Sequence, residues 1–275
     1  MMPRCIMVYD ACRTRVRNDV ERARVKRLKS SGFAARSRFF FAARLAIGER
    51  AKLTTTSETN SRSQYQLLLA VFCAASLALS LMSPIYPRQQ WLQHVPTVFG
   101  IAFLLANSQR RWLSNLSMAC ITAFLLLHIV GARWIYSYVP YDNWINAILG
   151  TDTSEAFGWK RNHYDRFVHL AFGILFTYPL AEACVKLWRL KRLHAISLAF
   201  TAVLAVSAAY EIFEWLLAIV AAPEFAERYN GQQGDFWDPQ KDMALAGIGS
   251  LIIGIGLAIS GRRLDNLLKR EDDNL

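Results

Sequence analysis

The sequence Arg-Asn-His-Tyr-Asp-Arg-Phe-Val-His, residues 161–169, leads directly into an apolar run at residues 170–179. The same change from polar to apolar composition recurs along the chain, in which 53% of the 275 residues are hydrophobic. The apolar runs are about 17 to 25 residues long, the length that crosses a bilayer as a helix. A soluble core would instead show shorter, amphipathic segments. The sequence therefore predicts an all-α, polytopic membrane protein.

Six segments fit this length. They lie at about residues 65–82, 91–107, 116–138, 167–185, 196–221 and 242–260. The second carries His94 and Pro96 near its start, where a proline is tolerated in the first turn of a helix. We expect residues 66–261 to form a domain of about six transmembrane helices.

The basic residues are unevenly placed. Residues 1–65 hold 15 of the 32 Lys and Arg residues but only 5 of the 21 Asp and Glu residues. We expect a basic arm there, disordered or interfacial, that suits an anionic lipid surface, with no nucleic acid as partner. The alternative is an extension that is not part of the mature protein. Residues 262–275 form a charged tail, and the excess of Lys and Arg near alternate helix ends predicts that both termini are cytoplasmic.

This topology places three polar clusters at the outer end of the helices. Asp165 and His169 are four residues apart and share a helix face, as do Glu211 and Glu214, three apart. Asp242 lies at the start of the last apolar segment. The candidate catalytic residues are His169, Asp165, Glu211, Glu214 and Asp242. The candidate substrate-binding residues are Arg166, His163, Arg133, Asp235 and Asp238.

Ionised side chains in hydrocarbon are costly unless they are paired or hydrated. The sequence therefore predicts that one of the two glutamates is protonated or that a positive partner lies between them, which could be Arg133 or Arg166, a protonated His169, or a metal ion. For a divalent metal, the candidate ligands are His169, Glu211, Glu214 and Asp242. The structural alternatives are helix caps and salt bridges at residues 161–169 and 231–242, and an internal ion pair for the glutamates. His128 is expected to be a satisfied interior histidine.

Three motifs, in this order along the chain, resemble the YjdF-like family of bacterial inner-membrane proteins. They are residues 161–169, Tyr210-Glu211-x-x-Glu214-Trp215, and Gly234-Asp235-x-Trp237-Asp238-x-Gln240-Lys241-Asp242-Met243. The resemblance covers about residues 66–260. It implies a multi-pass inner-membrane protein and no particular reaction.

A more distant resemblance is to VanZ-like membrane proteins. It rests on Asp165-Arg166-x-x-His169, on Glu211 with Glu214, and on Asp242. The Gly-Asp-x-Trp-Asp sequence at residues 234–238 departs from that pattern.

The sequence thus predicts an inner-membrane protein with an outward-facing polar pocket that binds, or chemically alters, a lipid or envelope-precursor headgroup. It contains no H-E-x-x-H, P-loop or G-x-S-x-G motif, which argues against several common enzyme classes. The alternatives are a proton-coupled transporter, with Glu211 and Glu214 as a proton relay, and a non-catalytic scaffold held by ion pairs. The expected partners are membrane lipids, and the oligomeric state stays open.

Overall fold

A computed structural model describes residue 61 and residues 63–221, 223–260 and 264–267. These residues form helices joined by short loops, and this part of the chain contains no β-strand. The helices are α1 Ser63–Ser80, α2 Pro87–Gln93, α3 Val95–Arg110, α4 Asn115–Arg133, α5 Tyr141–Leu149, α6 Thr153–Phe157, α7 Tyr164–Trp188, α8 Arg192–Val220, α9 Pro223–Asn230 and α10 Asp238–Ser260.

Five of these helices are long and apolar enough to cross a membrane: α1, α4, α7, α8 and α10. The all-α, polytopic membrane class is therefore confirmed. The segment predicted at residues 91–107 differs, because it is divided between α2 and α3. With 16 residues, α3 is about 24 Å long, which is short of the hydrocarbon thickness.

The division falls at His94, which is buried. Its ring nitrogens lie 3.1 Å from Ser80 Oγ and 3.3 Å from Thr97 Oγ1. Pro96 follows in the first turn of α3, where its missing N–H costs no helical hydrogen bond. The buried His94 and the nearby Pro96 thus mark a break between α2 and α3, which hydropathy alone predicts as one helix.

Helix α3 nevertheless runs antiparallel to the whole of α1. Ser63 Oγ donates to the Ser108 carbonyl at 2.9 Å at one end, while Ser80 and His94 meet at the other. At the first of these ends, Ser114 also contacts Glu182. We call it the Glu182 end of the bundle, and the opposite end, where α7 and α10 begin, the acidic end.

Helices α7 and α10 start at the same end and touch through their backbones. A Cβ atom on Gly173 would lie 2.0 Å from the Ala246 carbonyl oxygen, and one on Gly249 would lie 2.4 Å from that of Leu170. Thr177 Oγ1 and Ser250 Oγ are hydrogen-bonded at 2.6 Å further along. The glycines at these positions therefore allow close packing of two helices within the chain.

The sidedness of the bundle stays a prediction. The basic arm and the charged tail lie almost entirely outside the described residues, so their expected roles stay predictions as well.

Candidate functional site

Three helices bring five titratable side chains together at the acidic end. Helix α7 supplies Asp165 and His169, α8 supplies Glu211 and Glu214, and α10 supplies Asp242. His169 Nε2 lies 3.5 Å from Glu211 Oε1 and 3.8 Å from Asp165 Oδ1. Glu214 interacts electrostatically with Asp165, Glu211 and Asp242. We call these five residues the acidic cluster.

The acidic cluster is buried and short of positive charge. Asp242 is 2% exposed, Glu211 8% and Glu214 9%. Where side chains are described, no Lys or Arg comes within salt-bridge distance of the four carboxylates, and His169 is the basic group among them. Buried acids in a membrane helix are costly without such compensation, so a proton, a cation or a polar ligand at this position would stabilise the cluster.

Ser207 orients His169. Its Oγ lies 3.4 Å from His169 Nδ1. A proton on Nδ1, donated to that oxygen, leaves Nε2 as the basic nitrogen facing the carboxylates. Sequence reasoning missed Ser207, although it lies four residues before Glu211 and so on the same face of α8.

Two arginines and two aspartates hold the mouth of the cluster together. Arg161 donates to both carboxylate oxygens of Asp238, and Arg166 donates to Asp238 Oδ1 at 3.1 Å and to Asp235. We call these four residues the arginine clamp. It fastens the start of α7 to the loop before α10. Arg166, Asp235 and Asp238 were predicted to bind substrate and here bind one another, while Arg161 was not among the predicted site residues.

Asp235 also accepts hydrogen bonds from residues close to it in the sequence. Lys241 Nζ donates to Asp235 Oδ2 at 2.6 Å, and the Trp237 amide donates to Oδ1. The hydrogen bond from Lys241, with those from Trp237 and Arg166, holds the pKa of Asp235 well below its usual range.

The two remaining predicted binding residues lie apart from the acids. His163 precedes α7, and its ring packs on Trp159 at a centroid distance of 4.4 Å. Partial burial, with Arg166 and Arg161 nearby, lowers its pKa. Arg133 donates to the carbonyls of Ser80 and Ser83, each at 3.0 Å, and thus caps the end of α1.

A cavity of about 560 Å³ opens from the acidic cluster and runs between α3, α4, α7 and α8. Asp165, His169 and Tyr210 line one end, and Leu180 and Ala183 line the other. Along α7, residues 165 to 183 cover about 27 Å. The walls between are apolar, with Phe103, Phe124, Phe172 and Phe176 among them. We call this cavity the slot.

Two polar residues in the slot wall, His128 and Tyr136, have hydrogen-bond partners within the chain. His128 bonds to the Tyr136 hydroxyl through Nδ1 and lies 2.7 Å from the Gln93 carbonyl oxygen through Nε2. This confirms His128 as an interior histidine with its partners. Tyr136 reaches it from a left-handed turn after α4, in which Ile135 and Tyr136 have φ values of 42° and 55°.

Residues 65–263 match a protein family described as "Predicted membrane protein (DUF2238)". The chain belongs to this family. It is also 32% identical, over 175 residues, to the inner membrane protein YjdF of Escherichia coli (strain K12), a match that covers 63% of this chain and 79% of the relative. No solved structure matches. The resemblance inferred from the three motifs and the inner-membrane location are thereby confirmed.

The acidic cluster can handle protons or hold a cation. Three of its residues, Asp165, His169 and Asp242, offer ligand atoms that all lie within 4.8 Å of one another. The metal ligands predicted from the sequence include His169 and Asp242, which belong to this group. They also include Glu211 and Glu214, which do not, and they omit Asp165. Asp165 was predicted as a catalytic residue only.

Proposed function

We propose that this inner-membrane protein binds an amphipathic lipid, with the hydrocarbon tail in the slot and the polar headgroup at the acidic cluster, where the headgroup is chemically altered. The observation that supports this is the continuity of the slot with the cluster. A ligand that fills both must be apolar over most of its length and polar at one end. Membrane lipids and lipid-linked envelope precursors have that form.

The dimensions agree with a single hydrocarbon chain. The slot volume of about 560 Å³ falls within the range of about 300–1,000 Å³ found for small-ligand pockets. Its length of about 27 Å approaches the thickness of about 30 Å of a bilayer core. Since one acyl chain of a leaflet spans only about half of that core, the length of the slot suits a long hydrocarbon tail, and an ordinary acyl chain would fill part of it.

The chemistry we propose is general acid and base catalysis at the headgroup. His169, Asp165, Glu211, Glu214 and Asp242 would accept and return protons, since each lies at the polar end of the slot or beside it. On the charge distribution of the loops, this end faces the outside of the cell.

The arginine clamp would shape the entrance. Arg166 keeps one buried N–H group, at Nε, without a partner among the described residues, and we assign it to an anionic headgroup oxygen. His163 adjoins Arg166, with 3.4 Å between Nδ1 and Nη1, and belongs to the same rim. Arg133 is occupied by backbone carbonyls, so it has no part in this proposal.

Filling the slot tests the proposal. Val206 lines the slot and is 53% exposed, so Val206→Trp can be accommodated while it narrows the cavity. Ile252→Trp on α10 is the matched control, because Ile252 is 56% exposed and lies outside the slot. The measurement is the lipid retained per chain after purification in mild detergent, by extraction and mass spectrometry.

We expect about one lipid per wild-type and Ile252→Trp chain, and at least a fivefold loss in Val206→Trp. Equal retention by both variants would contradict the tail site. For the chemical step, Glu211→Gln should change the cellular lipid profile in the same direction as Val206→Trp while retaining the bound lipid. A wild-type lipid profile in cells that carry folded Glu211→Gln would limit the function to binding.

A further inference from the structure

We infer that Asp165, His169 and Asp242 form a binding site for one divalent transition-metal ion. The site deepens the proposed function by adding a cofactor. The role of the ion rests on that function, whereas its binding does not. The three residues come from two helices, and their ligand atoms lie within 4.8 Å of one another. Asp165 and His169 are one turn apart on α7, so both side chains leave the same face.

The unpartnered oxygen of Asp242 is an independent observation. Asp242 is 2% exposed, and its Oδ1 has no hydrogen-bond partner among the described residues. Buried polar atoms almost always have a partner, and an anionic oxygen without one is costly. Ligand atoms of Asp242, His169 and Asp165 lie within 4.8 Å of one another, so a cation held between these side chains would satisfy the carboxylate.

The charge balance points the same way. Four carboxylates share the cluster with one histidine, so with all four ionised even a protonated His169 would leave a net negative charge. The nearby Arg161 and Arg166 are engaged by Asp235 and Asp238, with Arg161 Nη2 at 3.0 Å from Asp238 Oδ2. A divalent cation supplies compensation that the described side chains do not.

The packing below the site holds the ligands in register. Gly173 is one turn beyond His169, and Ala246 is one turn beyond Asp242; these two residues form the backbone contact between α7 and α10. Ligands of an ion at about 2.1 Å are roughly 3.5 Å apart. Small side-chain rotations on this fixed helix pair close the difference, and Ser207 holds His169 with Nε2 directed at the carboxylates.

The ligand set selects the class of metal. One imidazole nitrogen and two carboxylate oxygens suit Zn²⁺ or Mn²⁺. Three protein ligands leave at least one position open, as in catalytic metal sites. An oxygen of the lipid headgroup would fill it. With the ion bound, Asp165, His169 and Asp242 serve as its ligands, so the proton transfers of the proposed function fall to Glu211, 3.5 Å from His169 Nε2, and to Glu214.

The test uses the full chain in detergent, stripped with EDTA and then titrated with Zn²⁺ or Mn²⁺ alone. Calorimetry and elemental analysis should give about one ion per chain for the wild type. Asp242→Asn and His169→Ala should weaken binding by at least 100-fold. Asp152→Asn is the matched control, because Asp152 caps α6 outside the acidic cluster and the arginine clamp, and this variant should bind the metal as the wild type does.

Pulsed EPR of Mn²⁺ in the wild type is a measurement that needs no variant. It should show coupling to one imidazole nitrogen. A folded wild type that binds no stoichiometric ion, a spectrum without nitrogen coupling, or an unchanged affinity in Asp242→Asn would each overturn the site. The lipid test is separate, because Val206→Trp should lose lipid and keep the metal. A wild type that retains lipid but binds no metal would contradict the metal site and leave the proposed lipid binding standing.

Discussion

A single buried acid, Glu182, and the acidic cluster lie at opposite ends of this bundle, and their surroundings differ. Glu182, on α7, has no exposed surface and accepts hydrogen bonds from the Ser114 amide at 3.0 Å, from Ser114 Oγ at 2.7 Å and from Ser117 Oγ. Lys186 Nζ lies 2.8 Å away, one turn further along the same helix. Every part of that carboxylate is satisfied within the chain.

The acidic cluster has no such set of donors. Its four carboxylates share one histidine, and an oxygen of Asp242 has no partner in the described part of the chain. Both environments are buried, so burial alone does not separate a structural acid from a functional one. The difference is whether donors and charges close around the carboxylate, as at Glu182, or leave room for a ligand.

The largest effect should come from Glu182→Ala. Removing this carboxylate leaves Lys186 without its ion-pair partner and the hydroxyls of Ser114 and Ser117 without their acceptor, so we expect the free energy of unfolding to fall by about 3–5 kcal/mol. The measurement is denaturant-induced unfolding in detergent. Glu155→Ala, on the exposed helix α6, is the matched control and should change the stability by less than about 0.5 kcal/mol. A loss below about 1 kcal/mol for Glu182→Ala would mean that its network contributes little to stability.

Much of the fold followed from the sequence because a bilayer restricts it to apolar helices of one length. The positions of Asp165, His169, Glu211, Glu214 and Asp242 at one level also followed, since helix periodicity and alternating direction fix depth. The prediction of a single helix at residues 91–107 was wrong. The chain breaks at His94, and hydropathy gives no signal that this side chain is buried.

Contacts between distant segments could not be predicted from the sequence either. The pairing of Arg161 with Asp238 joins positions 77 residues apart and depends on how two loops meet. Glu182 sits within an apolar run, where nothing in the sequence distinguishes its partners Ser114 and Ser117 from other serines. Such pairings are set by the rotation and spacing of whole helices, which the sequence pattern leaves free.

A second, intermediate effect should follow from Gly173→Ala, which disturbs the acidic end through the helix contact beneath it. The added Cβ would meet the Ala246 carbonyl oxygen at 2.0 Å, so α7 and α10 must separate. We expect a loss of about 1–3 kcal/mol in unfolding free energy. Metal affinity should fall as well, because Asp242 moves away from His169.

Gly256→Ala provides the control for this change. A Cβ there meets nothing within 4 Å, so the same substitution should be neutral or stabilising by up to about 1 kcal/mol through helix propensity. If Gly173→Ala retains both stability and metal affinity, the backbone contact is not what sets the position of Asp242.

The smallest change, and the one whose sign matters most, is Glu214→Gln. It makes the side chain permanently neutral and keeps its shape. Since the described residues offer Glu214 no Lys or Arg, we expect the metal-free protein to keep its stability or gain up to about 1 kcal/mol. Glu182→Gln, the same substitution at the other end, should lower stability, because it removes the charge that Lys186 and the serine hydroxyls stabilise. Unfolding of the two variants with EDTA present measures both. Opposite signs would separate a structural acid from one kept for a ligand, whereas equal losses would mean that the cluster is compensated within the chain and serves as a scaffold.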